Sequence, residues 1–287
     1  MYKVYNRQTK KYDTLSEPNR WLAFLYDTVI GRVLLGLLTK RIFSSIVGMY
    51  MSSSVSKWRI KRFIEKNNID MSEYQAESYR SFNDFFIRKI KPERRLIDKK
   101  KDVLIAVSDA RILRYKVTPK LTLNIKNSTY TVEELIKDKR EAREYMGGEC
   151  LVLRLDVDDY HRYVYLDEGQ VVASRKINGV FHTVNPISDG KYKVYAQNTR
   201  EWVKIKTENF GDIIQMEVGA MCVGRIRNFV HEKVSRGQEK GYFEFGGSTI
   251  IILFKKDAVC IDQDIVDNSF VGIETIVKQG EKIGVKA

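Results

Sequence analysis

The sequence is poor in the residues that build disulfide frameworks and metal centres. Its three cysteines, Cys150, Cys222 and Cys260, are an odd number and form no CxxC pair. This pattern argues against a disulfide framework and a zinc site, and favours reduced, mostly buried thiols in a cytoplasmic compartment. No His/Cys/Asp cluster has metal-ligand spacing, and no glycine-rich segment has the pattern of a phosphate-binding loop. We therefore expect neither a metal ion nor a dissociable cofactor.

Long hydrophobic runs are also scarce. The most apolar region, Trp21–Leu38, is interrupted by Asp27 and Arg32, whereas a membrane-spanning helix needs about 20 predominantly apolar residues. The first segment, Met1–Asp13, is polar and basic with no apolar run behind it, so it lacks the pattern of a signal peptide. We interpret Trp21–Leu38 as an amphipathic or buried helix.

Acidic residues are outnumbered by basic ones, with 37 Asp and Glu against 50 Lys and Arg, a net charge of +13. An acidic partner is therefore expected: nucleic acid, an anionic membrane, or a substrate that carries phosphate. A generic basic surface that keeps the protein soluble explains the same charge. Nucleic acid is disfavoured, because the chain has no recognition helix and no aromatic RNA-binding motif.

The pattern before residue 100 is helical and basic. Ile60, Phe63 and Ile64 form an apolar stripe beside a strongly cationic face, and Ile42–Met51 adds a further amphipathic segment. Such helices can lie in a membrane interface and attract anionic headgroups. They can equally pack their apolar stripes against the rest of the protein.

After residue 100 short strands dominate. The predicted strands are Cys150–Leu155, Tyr163–Leu166, Gln170–Ala173, Ile213–Val218 and Thr249–Phe254. One helix begins at a possible capping box of Thr131 and Glu134, and we expect Gly147 and Gly148 to end it. The sequence thus predicts an α+β fold, with N-terminal amphipathic helices on a mostly antiparallel, sandwich- or barrel-like β body. We expect a helical, membrane-facing region over 1–100 and a β-rich catalytic domain over 101–287.

The most informative stretch for chemistry is a Gly-Gly-Ser-Thr turn that leads directly into an apolar strand. Such a turn is commonly just a hairpin. In a strained glycine turn, however, the hydroxyl of Ser248 could attack the carbonyl of Gly247 and convert the amide to an ester. Elimination would then cleave the chain and leave dehydroalanine, which hydrolyses to a pyruvoyl cap on the new fragment. The attack needs a base, because a serine hydroxyl is a weak nucleophile.

Few residues could supply that base. His161 lies at the start of a predicted strand, His182 lies between apolar residues, and His231 lies in a polar run that indicates the surface. Each could equally be structural, although a near-neutral pKa suits a histidine to acid–base work. Asp109 follows an apolar strand and could orient a histidine, or could simply belong to a turn.

Five segments, taken in order, resemble the successive motifs of phosphatidylserine decarboxylases. They are Phe82–Arg94, Asp159–Arg162, Thr183–Pro186, Glu217–Ala220 with Val223-Gly224, and Lys240-Gly through Gly247-Ser248-Thr249. The resemblance runs from about Phe82 to the C-terminus. Each motif is weak alone, but their shared order makes coincidence improbable.

The resemblance implies a proenzyme that cleaves itself between Gly247 and Ser248, leaving a large chain and a small one. Ser248 would become a covalent pyruvoyl group, which decarboxylates phosphatidylserine to phosphatidylethanolamine through a Schiff base. His161 matches the family histidine implicated in decarboxylation, and Asp109 the acidic member of an Asp–His–Ser processing relay. The expected location is peripheral, at the cytoplasmic face of the cell membrane, with an anionic lipid surface as partner and a homodimer left open.

Two positions depart from the family pattern. Around Asp109 the usual Pro-Ala-Asp-Gly is Val-Ser-Asp-Ala, and Val164 replaces the second histidine that serves as the base. Another residue could act as base, the reaction could run slowly, or the protein could remain uncleaved. Our hypothesis is that His182 replaces the base, with a structural histidine as the alternative. Two other functions stay open: an unprocessed lipid-binding homologue, and a pyruvoyl decarboxylase of a different amino-acid-type substrate.

Overall fold

The protein is described from a computed structural model of the chain. The structure describes residues 2–15, 20–75, 78–120, 122–125, 128–183, 192–220, 225–246 and 248–287. Gly247, Cys222, Val223-Gly224 of the fourth motif and residues 184–186 of the third motif therefore lie outside the described residues. Of the other two cysteines, Cys150 is buried, as expected, whereas Cys260 is exposed.

The described residues form an α+β arrangement, as the sequence predicted, with most of the helices before residue 100 and most of the strands after it. The α-helices are α1 (Arg20–Asp27), α2 (Val29–Leu38), α3 (Arg41–Ser52), α4 (Arg59–Asn67), α5 (Phe82–Phe86), α6 (Val132–Ile136), α7 (Lys139–Arg143), α8 (Val194–Gln197) and α9 (Gln263–Phe270). Short 3-10 helices span Ser54–Trp58, Met71–Glu73 and Pro92–Arg94.

The strands of the first half are β1 (Tyr2–Asn6), β2 (Lys11–Leu15), β3 (Val103–Ile105), β4 (Ala110–Lys116), β5 (Thr122–Ile125), β6 (Ser128–Thr131), β7 (Glu149–Leu155), β8 (Arg162–Val164) and β9 (Gly169–Ile177). Those of the second half are β10 (Arg200–Thr207), β11 (Asp212–Gly219), β12 (Ile226–Asn228), β13 (Lys233–Val234), β14 (Glu239–Phe243), β15 (Ser248–Phe254), β16 (Val259–Ile261), β17 (Glu274–Val277) and β18 (Lys282–Lys286). All five predicted strands are present, with shifted ends.

A large open sheet organises the molecule. Its ten strands run in the order β13-β9-β10-β11-β15-β7-β4-β17-β1-β2, antiparallel except where β1 pairs with β17. The central strands β7 and β15 are buried along their whole length. In β15 this burial goes with the apolar run 250–254, as expected for a strand covered on both faces. β7 also buries two charged residues, Glu149 and Arg154, which form ion pairs with Arg114 and Glu274. Among the described residues the sheet does not close into a barrel.

The N-terminus differs from the helical pattern expected up to residue 100. Residues 2–15 form the hairpin β1–β2, which extends the large sheet at one edge. Arg7 anchors this hairpin through ion pairs with Asp262, Asp264 and Glu281. The expectation failed because these contacts come from the distant C-terminal part of the chain.

The segment expected to be one helix, Trp21–Leu38, is two. It breaks at Thr28, whose hydroxyl accepts a hydrogen bond from the Gly31 N–H (2.9 Å) and caps α2. Gly31 lies so close to the Phe24 carbonyl that a Cβ there would be 2.0 Å from its oxygen. Within the described residues no single helix has the length and apolar character of a membrane span. The α1–α2 pair reaches that length and composition only together, with a bend of 103°.

The helix that begins at Thr131 is shorter than expected. The capping box with Glu134 is confirmed. The helix ends at Ile136, however, because Lys137 adopts a left-handed conformation and Asp138 caps a new helix, α7. Gly147 and Gly148 lie beyond α7, so the prediction of a single helix ending there is wrong.

The apolar stripe of α4 packs inward. Ile60, Phe63 and Ile64 are half-buried against the aromatic cluster of α5, whose Phe82 and Phe85 are buried. The cationic face of the helix remains exposed. Of the two alternatives for α4, the apolar stripe therefore packs against the rest of the protein, and only the cationic face of the helix is exposed.

Candidate active site

Two of the predicted site residues, Ser248 and Asp109, lie at the same end of the large sheet. Ser248 is the first residue of β15, and it lies opposite Leu155, the last residue of β7, and Gly219, the last residue of β11. Asp109 directly precedes β4, whose first residue, Ala110, is paired with the last residue of β17. Because neighbouring strands are antiparallel, the start of one strand lies beside the end of the next, at the same end of the sheet.

Ser248 is fully buried, and its hydroxyl has no hydrogen-bond partner among the described residues. A buried polar group left unpaired costs about 1–3 kcal/mol, so such groups are uncommon and often serve a function. Gly246, two residues earlier, has φ = 136°, a conformation that essentially only glycine adopts. The chain therefore enters the serine through a turn that a side chain would strain.

His161 presents a free basic nitrogen in the interior. Its Nδ1 lies 2.8 Å from the carbonyl oxygen of Asp159, so Nδ1 carries the proton and donates it. Nε2 is then an acceptor, and it is buried without a partner among the described residues. Burial lowers the pKa of His161 to about 3, although the bond to Asp159 acts in the opposite direction. The imidazole is neutral at physiological pH and can accept a proton.

An aromatic contact joins the surroundings of His161 and Ser248. The ring of Phe86 packs 4.0 Å from the imidazole of His161, between ring centroids. The same ring contacts Phe245 at 5.3 Å, three residues before the serine. In addition, the Phe243 N–H donates to the carbonyl of His161 at 3.0 Å. The segment that leads to Ser248 is therefore anchored on the histidine and its aromatic neighbour.

Asp109 is buried in a network of cations rather than hydrogen-bonded to a histidine. Its carboxylate accepts from Arg95 (2.7 and 2.8 Å), from Lys278 (3.1 Å) and from the backbone N–H of Gln279 (2.9 Å). Burial alone would raise its pKa, but Arg95 and Lys278 outweigh this and hold the pKa below its usual range. The structure thus puts Asp109 at the same end of the sheet as His161 without a direct bond between them.

His182 lies in a different aromatic pocket. Its ring stacks on Tyr192 with centroids 4.2 Å apart, and its Nδ1 is 3.4 Å from the hydroxyl of Tyr26. Burial lowers the pKa of His182 to about 4. The amide of Asn198 bonds the carbonyls of both His182 and Gly219, which ties this segment to the strand beside Ser248. No described contact joins the His182 ring to Ser248.

Val164 fills the position where the family pattern has a second histidine. Its side chain is buried in the main hydrophobic core, and its N–H donates to the carbonyl of Val107 at 3.0 Å. An apolar side chain there packs well but can neither accept nor donate a proton.

A buried ion pair near the site was missed from the sequence. Lys240 and Glu217 are both fully buried, 2.5 Å apart, and Asn228 bonds each of them. Burial lowers the pKa of Lys240 and raises that of Glu217, while their contact acts the other way on each. Both residues belong to motifs that resemble the family, which could have marked them as functional. They are 23 residues apart in the sequence, however, and nothing in the sequence indicated that they pair.

A neutral buried histidine and a buried unpaired serine at one sheet end are the groups that serine-based acid–base chemistry requires. Comparison with known proteins is consistent with this class. A family model described as phosphatidylserine decarboxylase matches residues 82–285.

Full-length relatives agree. Phosphatidylserine decarboxylase proenzyme 2 of Clostridium acetobutylicum is 47% identical over 283 residues, covering 98% of this chain and 97% of that protein. The phosphatidylserine decarboxylase proenzyme of Clostridium perfringens is 43% identical, with both chains covered completely. That of Ruminiclostridium cellulolyticum is 43% identical over 99% of this chain and 97% of its own. The chain belongs to the phosphatidylserine decarboxylase family, a family of carboxy-lyases. A non-catalytic homologue is not favoured by these matches.

Proposed function

We propose that this chain is a phosphatidylserine decarboxylase proenzyme that cleaves itself between Gly247 and Ser248. The observation that carries the proposal is the buried, unpartnered hydroxyl of Ser248, at the serine of the family motif. The glycine turn before it and Gly219 opposite it leave no side chain beside the hydroxyl on those sides. These features fit a residue that becomes a pyruvoyl group.

Self-cleavage begins at the serine oxygen. Ser248 Oγ gives its proton to a base and attacks the carbonyl carbon of Gly247; the C–N bond breaks and its nitrogen takes up a proton, which leaves an ester and a free amine. Loss of the Ser248 α-proton then expels the Gly247 carboxylate and leaves dehydroalanine. Addition of water and loss of ammonia produce the pyruvoyl group on the fragment that begins at 248.

His161 is the base that we favour. Its Nε2 is unprotonated, buried and unpartnered, and its ring contacts the aromatic residues next to Ser248. His182 is the alternative, since its neutral ring lies on the segment that Asn198 ties to Gly219. Asp109 would act at longer range, because its negative charge favours a protonated His161.

The mature enzyme would use the same groups for turnover. The pyruvoyl carbonyl supplies an electron sink for the electron pair that remains when the substrate carboxylate leaves as carbon dioxide. Nε2 of His161, which carries no proton in the precursor, would take one up before the substrate carboxylate leaves and would then deliver it to the substrate carbon. The buried position of this histidine would exclude bulk water from that carbon.

A peripheral position at the cytoplasmic face of the membrane is part of the proposal. The N-terminal helices expose large apolar side chains beside lysines and arginines, which favours an interfacial location on anionic lipid. The exposed residues of this set are Trp21, Val29, Ile30, Val33, Leu34, Leu37, Ile42, Ile46, Met49, Val55 and Trp58. Phosphatidylserine would be the substrate in that surface.

A homodimer also belongs to the proposal. Strand β2 is an edge of the large sheet, and its exposed Tyr12 donates a hydrogen bond to Asn268 of α9, close to the exposed Phe270. An apolar patch beside an open edge strand favours self-association. Light scattering at micromolar concentration tests it: a monomer mass would reject the dimer without affecting the catalytic proposal.

The proposal is tested by the intact mass of the denatured protein. We expect two fragments that separate between 247 and 248, with a pyruvoyl-capped small chain, and release of carbon dioxide from phosphatidylserine micelles. Ser248→Ala should remain a single 33.5 kDa chain without activity. Ser235→Ala, which changes an exposed turn serine, is the matched control and should cleave normally. A wild-type chain that stays intact and inactive would refute the proposal.

A further inference from the structure

A polar cavity opens beside the active end of the sheet. It has a volume of about 220 Å³ and lies between helix α3 and strands β9, β10 and β12. Three cationic side chains line it, those of Lys176, Arg225 and Arg227. The mechanism proposed above uses none of them.

The cavity lies close to Ser248. In the sheet, Ser248 pairs with Gly219, whose N–H donates to the carbonyl of Thr199 at 2.9 Å, and Thr199 lines the cavity. Neighbouring strands are about 4.8 Å apart, so two strand spacings separate Thr199 from Ser248. The ring of Phe181 lies over Gly219 between the two and forms part of the cavity wall.

The charges leave one cation without a counterion. Lys176 is bound to Glu201 at 2.5 Å, and Arg227 to Glu244 at 2.9 Å. Arg225 has no acidic partner among the described residues, and its backbone carbonyl is fixed by the N–H of Glu244. Despite the carboxylate of Glu201 in the wall, the lining therefore carries excess positive charge and favours an anion.

A second observation points to a ligand in the same cavity. Ser44, on the inner face of α3, is 2% exposed, and its hydroxyl has no hydrogen-bond partner among the described residues. An unpaired buried hydroxyl is costly unless something else supplies its partner. A hydroxyl and a guanidinium in the lining of one small cavity are both donors, which suits the oxygens of a phosphate group.

Helix α3 also connects this cavity to the lipid phase. Its outer face exposes Ile42, Ile46 and Met49, whereas Ser44 on its inner face lines the cavity. In a seryl phospholipid the phosphorus lies about 5 Å from the amine nitrogen, by bond lengths alone. If the headgroup of a lipid whose amine reacts at residue 248 extends across β11 towards β10, its phosphate comes within reach of this cavity and its acyl chains pass α3.

We infer that this cavity binds the phosphodiester of the substrate lipid, with Arg225 and Ser44 as its main contacts. The inference rests on the proposed function, because it assumes a phospholipid whose amine reacts at residue 248. It makes Arg225 a binding residue for the headgroup, separate from the membrane-facing cations of α4.

The test compares Arg225→Gln with Arg143→Gln in the full-length chain. Both variants remove one exposed arginine, but Arg143 lies on α7 outside the cavity. With phosphatidylserine in mixed micelles we expect kcat/KM to fall about tenfold for Arg225→Gln, mainly through KM, since a charge-assisted bond is lost. Self-cleavage of both variants should equal that of the wild type. Ser44→Ala should also raise KM, with little loss of stability.

Soluble anions separate the possible sources of the phosphate. Glycerophosphoserine should inhibit the wild type more strongly than inorganic phosphate at equal ionic strength, and should inhibit Arg225→Gln about tenfold less well than the wild type. Equal inhibition of wild type and Arg225→Gln, or equal KM for Arg225→Gln and Arg143→Gln, would overturn the inference. A wild type that neither cleaves nor decarboxylates would instead refute the proposed function, so the two failures are distinguishable.

Discussion

Gly219 lies directly opposite Ser248 in the pairing of β11 with β15, so no side chain covers the serine from that strand. The space is taken instead by the ring of Phe181, which comes from a separate segment of the chain. A Cβ on residue 219 would lie 3.3 Å from Phe181 Cε1, tighter than ordinary packing. The glycine therefore sets the distance between the reacting serine and the aromatic wall beside it.

Gly219→Ala should disturb turnover more than folding. The added methyl must push the Phe181 ring by a few tenths of an ångström, which costs about 1 kcal/mol of unfolding free energy but displaces the wall beside the reaction centre. We expect kcat/KM for phosphatidylserine to fall about tenfold. Gly36→Ala, where no atom lies within 4 Å of the new methyl, is the control and should behave as wild type. Equal activities of the two variants would contradict this role of Gly219.

The two buried histidines should differ in self-cleavage. His161→Gln removes the unpartnered basic nitrogen and should slow cleavage about 100-fold or more, the usual contribution of a general base. His182→Gln should alter the rate little, because the His182 ring packs against Tyr26 and Tyr192. Intact-mass time courses after denaturant-jump refolding measure both rates. The reverse order would identify His182 as the base.

Stability should fall on acidification because His161 is buried in its neutral form. Its pKa is about 3 in the fold against an ordinary value of 6.5. Between these values the unfolded chain binds a proton at this histidine and the folded chain does not, so the unfolding free energy decreases as pH falls. The slope for one group is about 1.4 kcal/mol per pH unit.

Urea unfolding of the Ser248→Ala chain between pH 5 and pH 6.5 measures this slope. Adding His161→Gln should reduce the pH dependence of the unfolding free energy by the contribution of one histidine. Above pH 7 the two chains should have the same slope, because His161 is then neutral in both the folded and the unfolded state. An unchanged slope in the double variant would mean that the histidine is protonated in the folded protein.

Breaking the buried ion pair should be far more damaging than breaking an exposed one. Lys240→Met leaves the Glu217 carboxylate buried without its cation, which typically costs about 3–5 kcal/mol. The double variant Lys240→Met/Glu217→Leu should recover much of the loss, because no charge is then left buried. Lys61→Met, in the exposed pair with Glu65, should leave the thermal midpoint nearly unchanged. Equal midpoints for Lys240→Met and Lys61→Met would contradict the importance of the buried pair.

Membrane binding should depend on the exposed apolar face of α2. Ile30→Glu/Val33→Glu puts two carboxylates on that face and should reduce co-sedimentation with phosphatidylserine-containing vesicles at least about tenfold. Val230→Glu changes an apolar residue that is more exposed still, in a loop outside the helices, and should bind as wild type. Self-cleavage should proceed in both. Loss of binding in the Val230 variant as well would indicate a general charge effect rather than docking by α2.

Local patterns determined much of this protein from sequence alone. The apolar runs of β7, β11 and β15, the Thr131 capping box and the Gly-Gly-Ser-Thr turn depend on neighbouring residues, so period and turn chemistry predict them. The order of the five motifs was enough to recognise the family. The same reasoning failed at residues 2–15 and at Lys137, where distant contacts and a single left-handed residue decide the outcome.

Only the tertiary structure decided which groups meet. Sheet register brings Asp109, Leu155, Gly219 and Ser248 to one end although they are far apart in sequence, and the hydrogen bond to the Asp159 carbonyl determines which nitrogen of His161 is basic. Burial, which no local pattern measures, then makes that histidine neutral and leaves the serine hydroxyl unpaired. The sequence therefore determined which chemical groups are available, and the pairing of distant strands determined their environment, because pKa and nucleophilicity depend on neighbours that only folding supplies.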